Sequence, residues 1–197
     1  TSYDNTVYHI IIPKKSFEEG LDLLIESVKN PVFPEEEIEK ERKVVLEEIK
    51  MGEDDVQRKL FNELFSISYQ GHPYGRPIIG FNETVKSITR ADIIQYYKTH
   101  YTPDNITVVV VGDFDEQKTK EIIRKQFGKK MKIVENRNTD IPVVQENKND
   151  VRVLEKDVRE NYLAFSYVIP QINHKDIPAL EILGTILADG ESSRLTQ

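Results

Sequence analysis

Apolar residues recur three and four positions apart through most of this chain, which is the spacing of an amphipathic helix. One such stripe follows Ser16 and predicts a helix that is capped by Ser16, with Glu19 at the capping-box position. Further stripes, each preceded by Asp or Thr, predict four more helices. They begin at Asp54 or Asp55, at Thr89, at Asp115 and at Asp176, and the last two end at Gly128 and Gly190.

Four other segments are rich in β-branched or alternating apolar residues and predict strands. They are 6–12, 106–111, 151–157 and 161–169. The run 106–111 is continuously apolar, which is typical of a strand that is covered on both faces. Together the elements predict an α+β fold, a mostly antiparallel sheet with helices packed on one face.

Composition changes after the first 130 residues and predicts a division into two domains. Residues 1–132 would form the C-terminal two-thirds of a first domain, and 151–197 the N-terminal part of a second, similar one. The segment 133–150 between them is rich in Lys, Asn, Glu and Pro and is typical of a linker. The chain does not begin with Met and has few elements after 150, so we expect it to be a piece of a longer protein.

The segment 34–52 predicts a helix with two acidic residues in its apolar arc. Glu41 and Glu48 lie among Ile38, Val45 and Ile49 when residues are placed about 100° apart. They are seven residues apart and so point the same way, about 10.5 Å apart along the helix. Removing a carboxylate from water costs several kcal/mol unless a cation compensates. The pattern therefore predicts a positive partner for this face.

Three explanations of the two acids remain open from the helix alone. Arg42 or a lysine could neutralise them in an ion pair, the helix could be half exposed, or a metal ion could bind there. Two carboxylates about 10.5 Å apart cannot both contact one ion at about 2 Å. If a metal is present, one acid is a ligand and the other acts beside it.

Net charge and residue content limit which partners and which metal ligands are possible. The 197 residues carry a net charge of −7 and no cysteine, which argues against nucleic acid or an anionic membrane surface as the main partner. No apolar run is long enough to span a membrane. Any metal must be held by His and carboxylate groups, and none of the four histidines is paired with another at helical spacing. We expect His72 and Tyr74, in the loop GHPYGRP, to make structural contacts within that loop.

Four motifs, in this order, carry a resemblance to a known family: TSYDNTVYH, NPVFPEEEIEKERKVVLEEIKMGEDD, GHPYGRPIIG and ITRADIIQYYKTHYTPDNITVVVVGDFD. They resemble the pitrilysin/insulinase (inverzincin) family of zinc metallopeptidases. Mitochondrial processing peptidase and bacterial zinc proteases belong to that family. The final stretch, ALEILGTILADGESSRL, is similar to the opening of the family's second, repeat-related domain. The resemblance extends over essentially the whole chain.

The resemblance implies roles for individual residues. Glu48 matches the third zinc ligand, and Glu41 matches an acidic residue that is associated with catalysis without being a ligand. The strand 6–12 and the residues before it, Thr1, Ser2 and Tyr3, match the edge to which a peptide substrate binds. The family's H-x-x-E-H motif, which supplies two ligands and the general base, is absent from these residues and would precede Thr1. We therefore expect Zn²⁺ in the intact protein, and neither tightly bound zinc nor activity in this piece alone.

The expected function is that of a zinc metalloendopeptidase acting on peptides or unfolded protein segments. A non-catalytic partner or scaffold subunit of the same family is the alternative, and a homodimer or a heterodimer with a family partner is compatible with either. A third possibility is an unrelated α/β domain with a structural pair between Arg42 and a glutamate. The sequence leaves the compartment open between bacterial cytoplasm and periplasm.

Overall fold

The computed structural model describes residues 1–128, 142, 144 and 150–195, and within them it contains seven α-helices and three short 3-10 helices. The α-helices are α1 (Phe17–Lys29), α2 (Glu35–Asp54), α3 (Val56–Ser68), α4 (Asn82–Ser87), α5 (Arg90–His100), α6 (Glu116–Phe127) and α7 (Ile177–Ala188). The 3-10 helices are Lys14–Ser16, Pro73–Gly75 and Pro103–Asn105.

The predicted antiparallel sheet is wrong, because the described part of the chain contains no β-strand and its regular structure is helical. The segments 6–12, 106–111, 151–157 and 161–169 have no regular secondary structure. A strand exists only through hydrogen bonds to a neighbouring strand, and the backbone hydrogen bonds outside the helices form turns and helix ends. Val109 and Val111, expected in a covered strand, are 77% and 92% exposed.

Helix starts follow the predicted caps where the preceding residue is extended. Asp55 and Asp115 each accept a hydrogen bond, from the backbone N–H of Arg58 and Lys118 respectively, at 2.9 Å. Thr89 and Asp92 form a complete capping box at the start of α5. Ser16 makes no such bond, because it ends the turn Lys14–Ser16 and its backbone (φ −105°, ψ 10°) lacks the extended conformation of an N-cap.

The chain divides into two compact units, Thr1–Val144 and Gln145–Gln197. In the first unit, α1 buries Leu21 and Ile25, which are 6% and 4% exposed, and α2 packs against α3 and α4. The domain limits at 132 and 151 remain a prediction, since most of the proposed linker 133–150 lies outside the described residues. No helix in the described ranges is both long and apolar enough to cross a bilayer.

The second unit is built around α7 and the residues that follow it. Gly190 has φ +88°, a left-handed conformation that glycine adopts without steric cost. The chain then turns back on the helix, with the N–H of Leu195 donating to the carbonyl of Leu187 at 2.9 Å. Ser193 is 4% exposed beneath this return.

Candidate functional site

Helix α2 carries both predicted acids, and local sequence explains where it begins and ends. Pro34 precedes it in an extended conformation (φ −60°, ψ 138°), and three glutamates occupy the first turn. Negative charge at a helix N-terminus interacts favourably with the helix dipole. Asp55 ends the helix with ψ 113°, its N–H bonded to the carbonyl of Met51 at 3.1 Å. The observed helix is two residues longer at this end than the predicted 34–52.

One side of α2 is packed. Ile49 is 8% exposed, and Gly52 is buried one turn further on. The side chain of Arg58 crosses Gly52 so closely that an added Cβ would lie 3.0 Å from its Cζ and Nε atoms. A side chain at this position would require the Arg58 side chain to move.

Arg42 fixes the same side of α2 to the end of α4. Its guanidinium donates to the carbonyls of Val85 and Ile88, the second at 2.8 Å, and it pairs with Glu39 at 3.0 Å. The last carbonyls of a helix have no partner within the helix, so Arg42 serves as the C-terminal cap of α4. The side chain of Arg42 is 15% exposed. Because its guanidinium is bonded to the end of α4, the rotation of α2 about its axis depends on the position of α4.

The acids lie on a different, uncovered face. Glu41, Val44, Glu48 and Met51, here called the acidic strip, follow one another at helical spacing and are all exposed. Val44 is 50% and Met51 69% exposed. Both glutamates therefore face solvent, as in the half-exposed helix that the sequence left open. The apolar arc of α2 is wider than the surface that α3 and α4 cover, and the strip is the part left open.

Arg42 does not neutralise either acid. On α2, Lys40 pairs with Glu36 and Glu37 at 3.0 and 2.9 Å, and Arg42 pairs with Glu39. Within the described ranges no ion pair includes Glu41 or Glu48. Since neighbouring helical residues point about 100° apart, Arg42 faces α4 while Glu41 faces the open side. Of the three explanations from sequence, the half-exposed helix describes this structure, and the Arg42 ion pair is excluded in it.

A complete zinc site is not formed by the part of the chain that the structure describes. It contains no cluster of three His, Cys, Asp or Glu residues that could hold a metal, whereas catalytic zinc takes three protein ligands. His72 accepts the N–H of Tyr74 at Nδ1, at 3.1 Å. His100 stacks on Tyr96 with ring centroids 4.0 Å apart. The residues present do not fit zinc on their own, and Glu48 can supply one ligand at most.

The predicted substrate-contact residues, Thr1, Ser2 and Tyr3, are exposed and lie in an ordered turn. The N–H of Ser2 donates to the carbonyl of Asn5 at 2.8 Å. Tyr3 stacks on Phe65 of α3 at 5.6 Å between ring centroids. Partial removal of its hydroxyl from water, together with the nearby Tyr69, raises the pKa of Tyr3. Because α2 also packs on α3, the two predicted sites belong to neighbouring elements of one unit. No hydrogen bond described in the structure joins them.

Sequence reasoning missed two anchors of this region. Arg42 was one of the candidate partners for the acids, whereas it holds the end of α4; its place in the apolar arc was the available signal. Tyr74 was expected to bond within its own loop, but its hydroxyl donates to the carboxylate of Asp4, 70 residues earlier. No local pattern marks a contact over that separation.

Two family models match the chain. Residues 1–81, which include the acidic strip, match "Insulinase (Peptidase family M16)", and residues 87–197 match "Peptidase M16 inactive domain". The chain is 33% identical over 200 residues to zinc protease PqqE of Helicobacter pylori, covering 99% of this chain and 45% of that protein. It is 27% identical over 193 residues to mitochondrial-processing peptidase subunit beta of Bos taurus, covering 98% and 39%.

Solved structures agree with the sequence comparison. The crystal structure of a protease from Helicobacter pylori superposes with a TM-score of 0.74 at 29% identity, over 92% of this chain and 45% of that one. The chain thus spans about half the length of the relatives that it matches. Since one of the two family models alone covers more than half of the 197 residues, the chain belongs to the insulinase (pitrilysin-type) family of zinc metallopeptidases.

Proposed function

We propose that this chain is part of a zinc-dependent metalloendopeptidase that hydrolyses peptides or unfolded protein segments. In this proposal Glu48 is one of the zinc ligands, and Glu41 is a catalytic acid beside the metal that does not bind it. The observation that carries the proposal is the open acidic strip, which lies within the residues matched to the insulinase model and presents two carboxylates without an ion-pair partner in the described structure.

The packing of α2 supports these roles. An ionised carboxylate is a good zinc ligand, and Glu48 precedes buried Ile49, which restricts where it can point. Glu41 is about 10.5 Å from Glu48 along the axis, too far to share an ion. The remaining ligands would come from outside the described residues. Alone, the chain is expected neither to hold zinc tightly nor to hydrolyse peptides.

The proposed partners follow from the family. A peptide substrate would contact the segment that contains Thr1, Ser2 and Tyr3. A second chain of the family is a further candidate, because one relative is named as a subunit of mitochondrial-processing peptidase. A non-catalytic partner or scaffold subunit is the second candidate function, and the match of residues 87–197 to the inactive-domain model is compatible with either function.

Three glutamine variants in the whole protein test the proposal: Glu48→Gln, Glu41→Gln and, as a matched control, Glu47→Gln. Glu47 is adjacent in sequence but lies on the charged outer face of α2. We expect Glu48→Gln to lose zinc and hydrolysis of a quenched fluorescent peptide. Glu41→Gln should keep zinc and hydrolyse about 10- to 100-fold more slowly, and Glu47→Gln should match the wild type. Zinc per chain is measured by plasma mass spectrometry.

The outcomes separate the candidate functions. Full zinc content and rate in Glu48→Gln would contradict the ligand assignment. A wild-type protein with neither zinc nor hydrolysis, which nevertheless binds a second family chain, would favour the non-catalytic subunit.

A further inference from the structure

Tyr74 connects the loop 71–77 to the beginning of the chain. Its hydroxyl donates to a carboxylate oxygen of Asp4, and its ring packs on that of Tyr3 with centroids 5.0 Å apart. A tyrosine hydroxyl is protonated at neutral pH, so it is the donor to the carboxylate, and this hydrogen bond raises the pKa of Tyr74 further. A bond to an ionised acceptor is stronger than one between neutral groups.

The loop presents Tyr74 from a rigid frame. The N–H of His72 donates to the carbonyl of Tyr69, and the N–H of Gly75 donates to the carbonyl of His72, both at 3.0 Å. The imidazole of His72 accepts the N–H of Tyr74. Gly75 passes so close to Tyr69 that an added Cβ would lie 2.5 Å from its carbonyl oxygen. Any other residue at 75 would displace the loop and therefore Tyr74.

The segment that Tyr74 holds is folded into one turn. Ser2 Oγ accepts the N–H groups of Asp4 and Asn5 at 3.3 and 3.2 Å. The ring of Tyr3 is parallel to that of Phe65 within 3°. The hydrogen bonds of Ser2 fold the backbone of residues 1–5 on itself, while the ring of Tyr3 and the carboxylate of Asp4 hold the segment to α3 and to the loop 71–77. Residues 1–5 are otherwise exposed, so these few contacts set their conformation.

We propose that Tyr74 is a positioning residue for peptide binding, which acts through Asp4 on the segment 1–5. The inference rests on the proposed function, since that function assigns substrate contacts to Thr1, Ser2 and Tyr3. Holding this segment in its bound shape before the peptide arrives removes part of the entropy cost of binding. Tyr74 acts on substrate affinity without contacting Glu41 or Glu48 and without a role at the metal.

The test compares Tyr74→Phe, Asp4→Asn and the double variant with Tyr96→Phe in the whole protein. Tyr96→Phe removes the same atom from a tyrosine that is 61% exposed and whose hydroxyl has no partner among the described residues. Each variant is assayed for zinc content, kcat, KM, peptide affinity by fluorescence anisotropy, and hydrogen exchange of residues 2–5.

We expect Tyr74→Phe to raise KM and the peptide Kd roughly 3- to 30-fold and to speed exchange at residues 2–5, with kcat and zinc unchanged. Asp4→Asn should have the same direction of effect, and the double variant should be little worse than Tyr74→Phe, because both remove one interaction. Tyr96→Phe should match the wild type in every readout.

Each other outcome overturns the inference or identifies which proposal fails. If the wild type is active and Tyr74→Phe leaves KM and the peptide Kd unchanged, the inference is overturned and the peptidase proposal stands. The inference is also overturned if Tyr74→Phe loses kcat or zinc without a change in peptide affinity. A wild type that binds peptide without hydrolysing it, with weaker binding in Tyr74→Phe, supports the inference and overturns the peptidase proposal. A wild type that neither binds nor hydrolyses peptides overturns both.

Discussion

The two sides of α2 differ in how their charged residues are used. On the packed side Arg42 is 15% exposed and bonds to the end of α4 and to Glu39. On the acidic strip, Glu41 and Glu48 are exposed and have no ion-pair partner among the described residues. Arg42 and Glu41 are neighbours in sequence, yet only one of them contributes contacts to the fold.

This difference separates residues that stabilise the unit from residues that are available for chemistry. A charge whose hydrogen bonds are all made within the fold has little capacity left for a ligand. A carboxylate that faces water and makes no ion pair can bind a ligand without breaking a structural contact. The packed side of α2 then serves to hold the acidic strip in place.

The largest expected effect on stability comes from truncating a buried side chain on the packed side of α2. Ile49→Ala removes a side chain that is 8% exposed and should lower the free energy of unfolding by about 2–4 kcal/mol. Val44→Ala, on the acidic strip and 50% exposed, should change it by less than about 0.5 kcal/mol. Urea denaturation measures both, and equal losses would show that the two faces are not distinct.

Arg42→Met should lower the free energy of unfolding by about 1–3 kcal/mol, since hydrogen bonds from a charged donor are lost and the α4 carbonyls lose their cap. Lys43→Met, on the exposed face, is the matched control and should have little effect. Arg42→Lys should cause a loss of unfolding free energy between those of Arg42→Met and Lys43→Met, because an ammonium cannot reproduce the forked hydrogen bonds of the guanidinium. A neutral result for Arg42→Met would contradict its role as the anchor of α2.

The α4–α5 junction that Arg42 holds is also set by Thr89, and Thr89→Ala should lower the free energy of unfolding by about 1 kcal/mol. The hydrogen bonds from Thr89 lower the pKa of Asp92. A lowered folded-state pKa gives a stabilisation that is present above the unfolded pKa and is lost as pH falls through the folded value. Thr89→Ala should therefore lower the free energy of unfolding at neutral pH, and the further fall of that free energy below about pH 4 should be less steep than in the wild type. If the unfolding temperature of Thr89→Ala fell with decreasing pH as steeply as that of the wild type, the coupling between Thr89 and Asp92 would be contradicted.

The smallest expected effect on stability belongs to the acids themselves. Glu41→Gln and Glu48→Gln, measured without metal, should each change the free energy of unfolding by less than about 0.5 kcal/mol, because both side chains are exposed and neither has an ion-pair partner in the described part of the chain. A loss above about 1 kcal/mol would mean that the strip is structural. Calorimetry of the metal-free protein gives the comparison.

Local signals in the sequence were sufficient for most of the helices, although they missed α4 (Asn82–Ser87), and the predicted caps at Ser16 and Asp176 do not form. Asp55, Thr89 and Asp115 each make the predicted cap, because a cap depends on residues within one turn. The strands failed, since 6–12 and 106–111 need a neighbouring strand that no local pattern guarantees. The sequence left open whether Glu41 and Glu48 are buried for a related reason: periodicity shows which residues share a face, but only tertiary packing determines how much of that face is covered.

The most direct test of the account is a zinc-edge anomalous diffraction map of the whole protein. We expect an anomalous peak in direct contact with the carboxylate of Glu48, with Glu41 nearby on the same strip but not bound to the metal. A peak bound to Glu41 or Glu47, or one that contacts no carboxylate of α2, would contradict it.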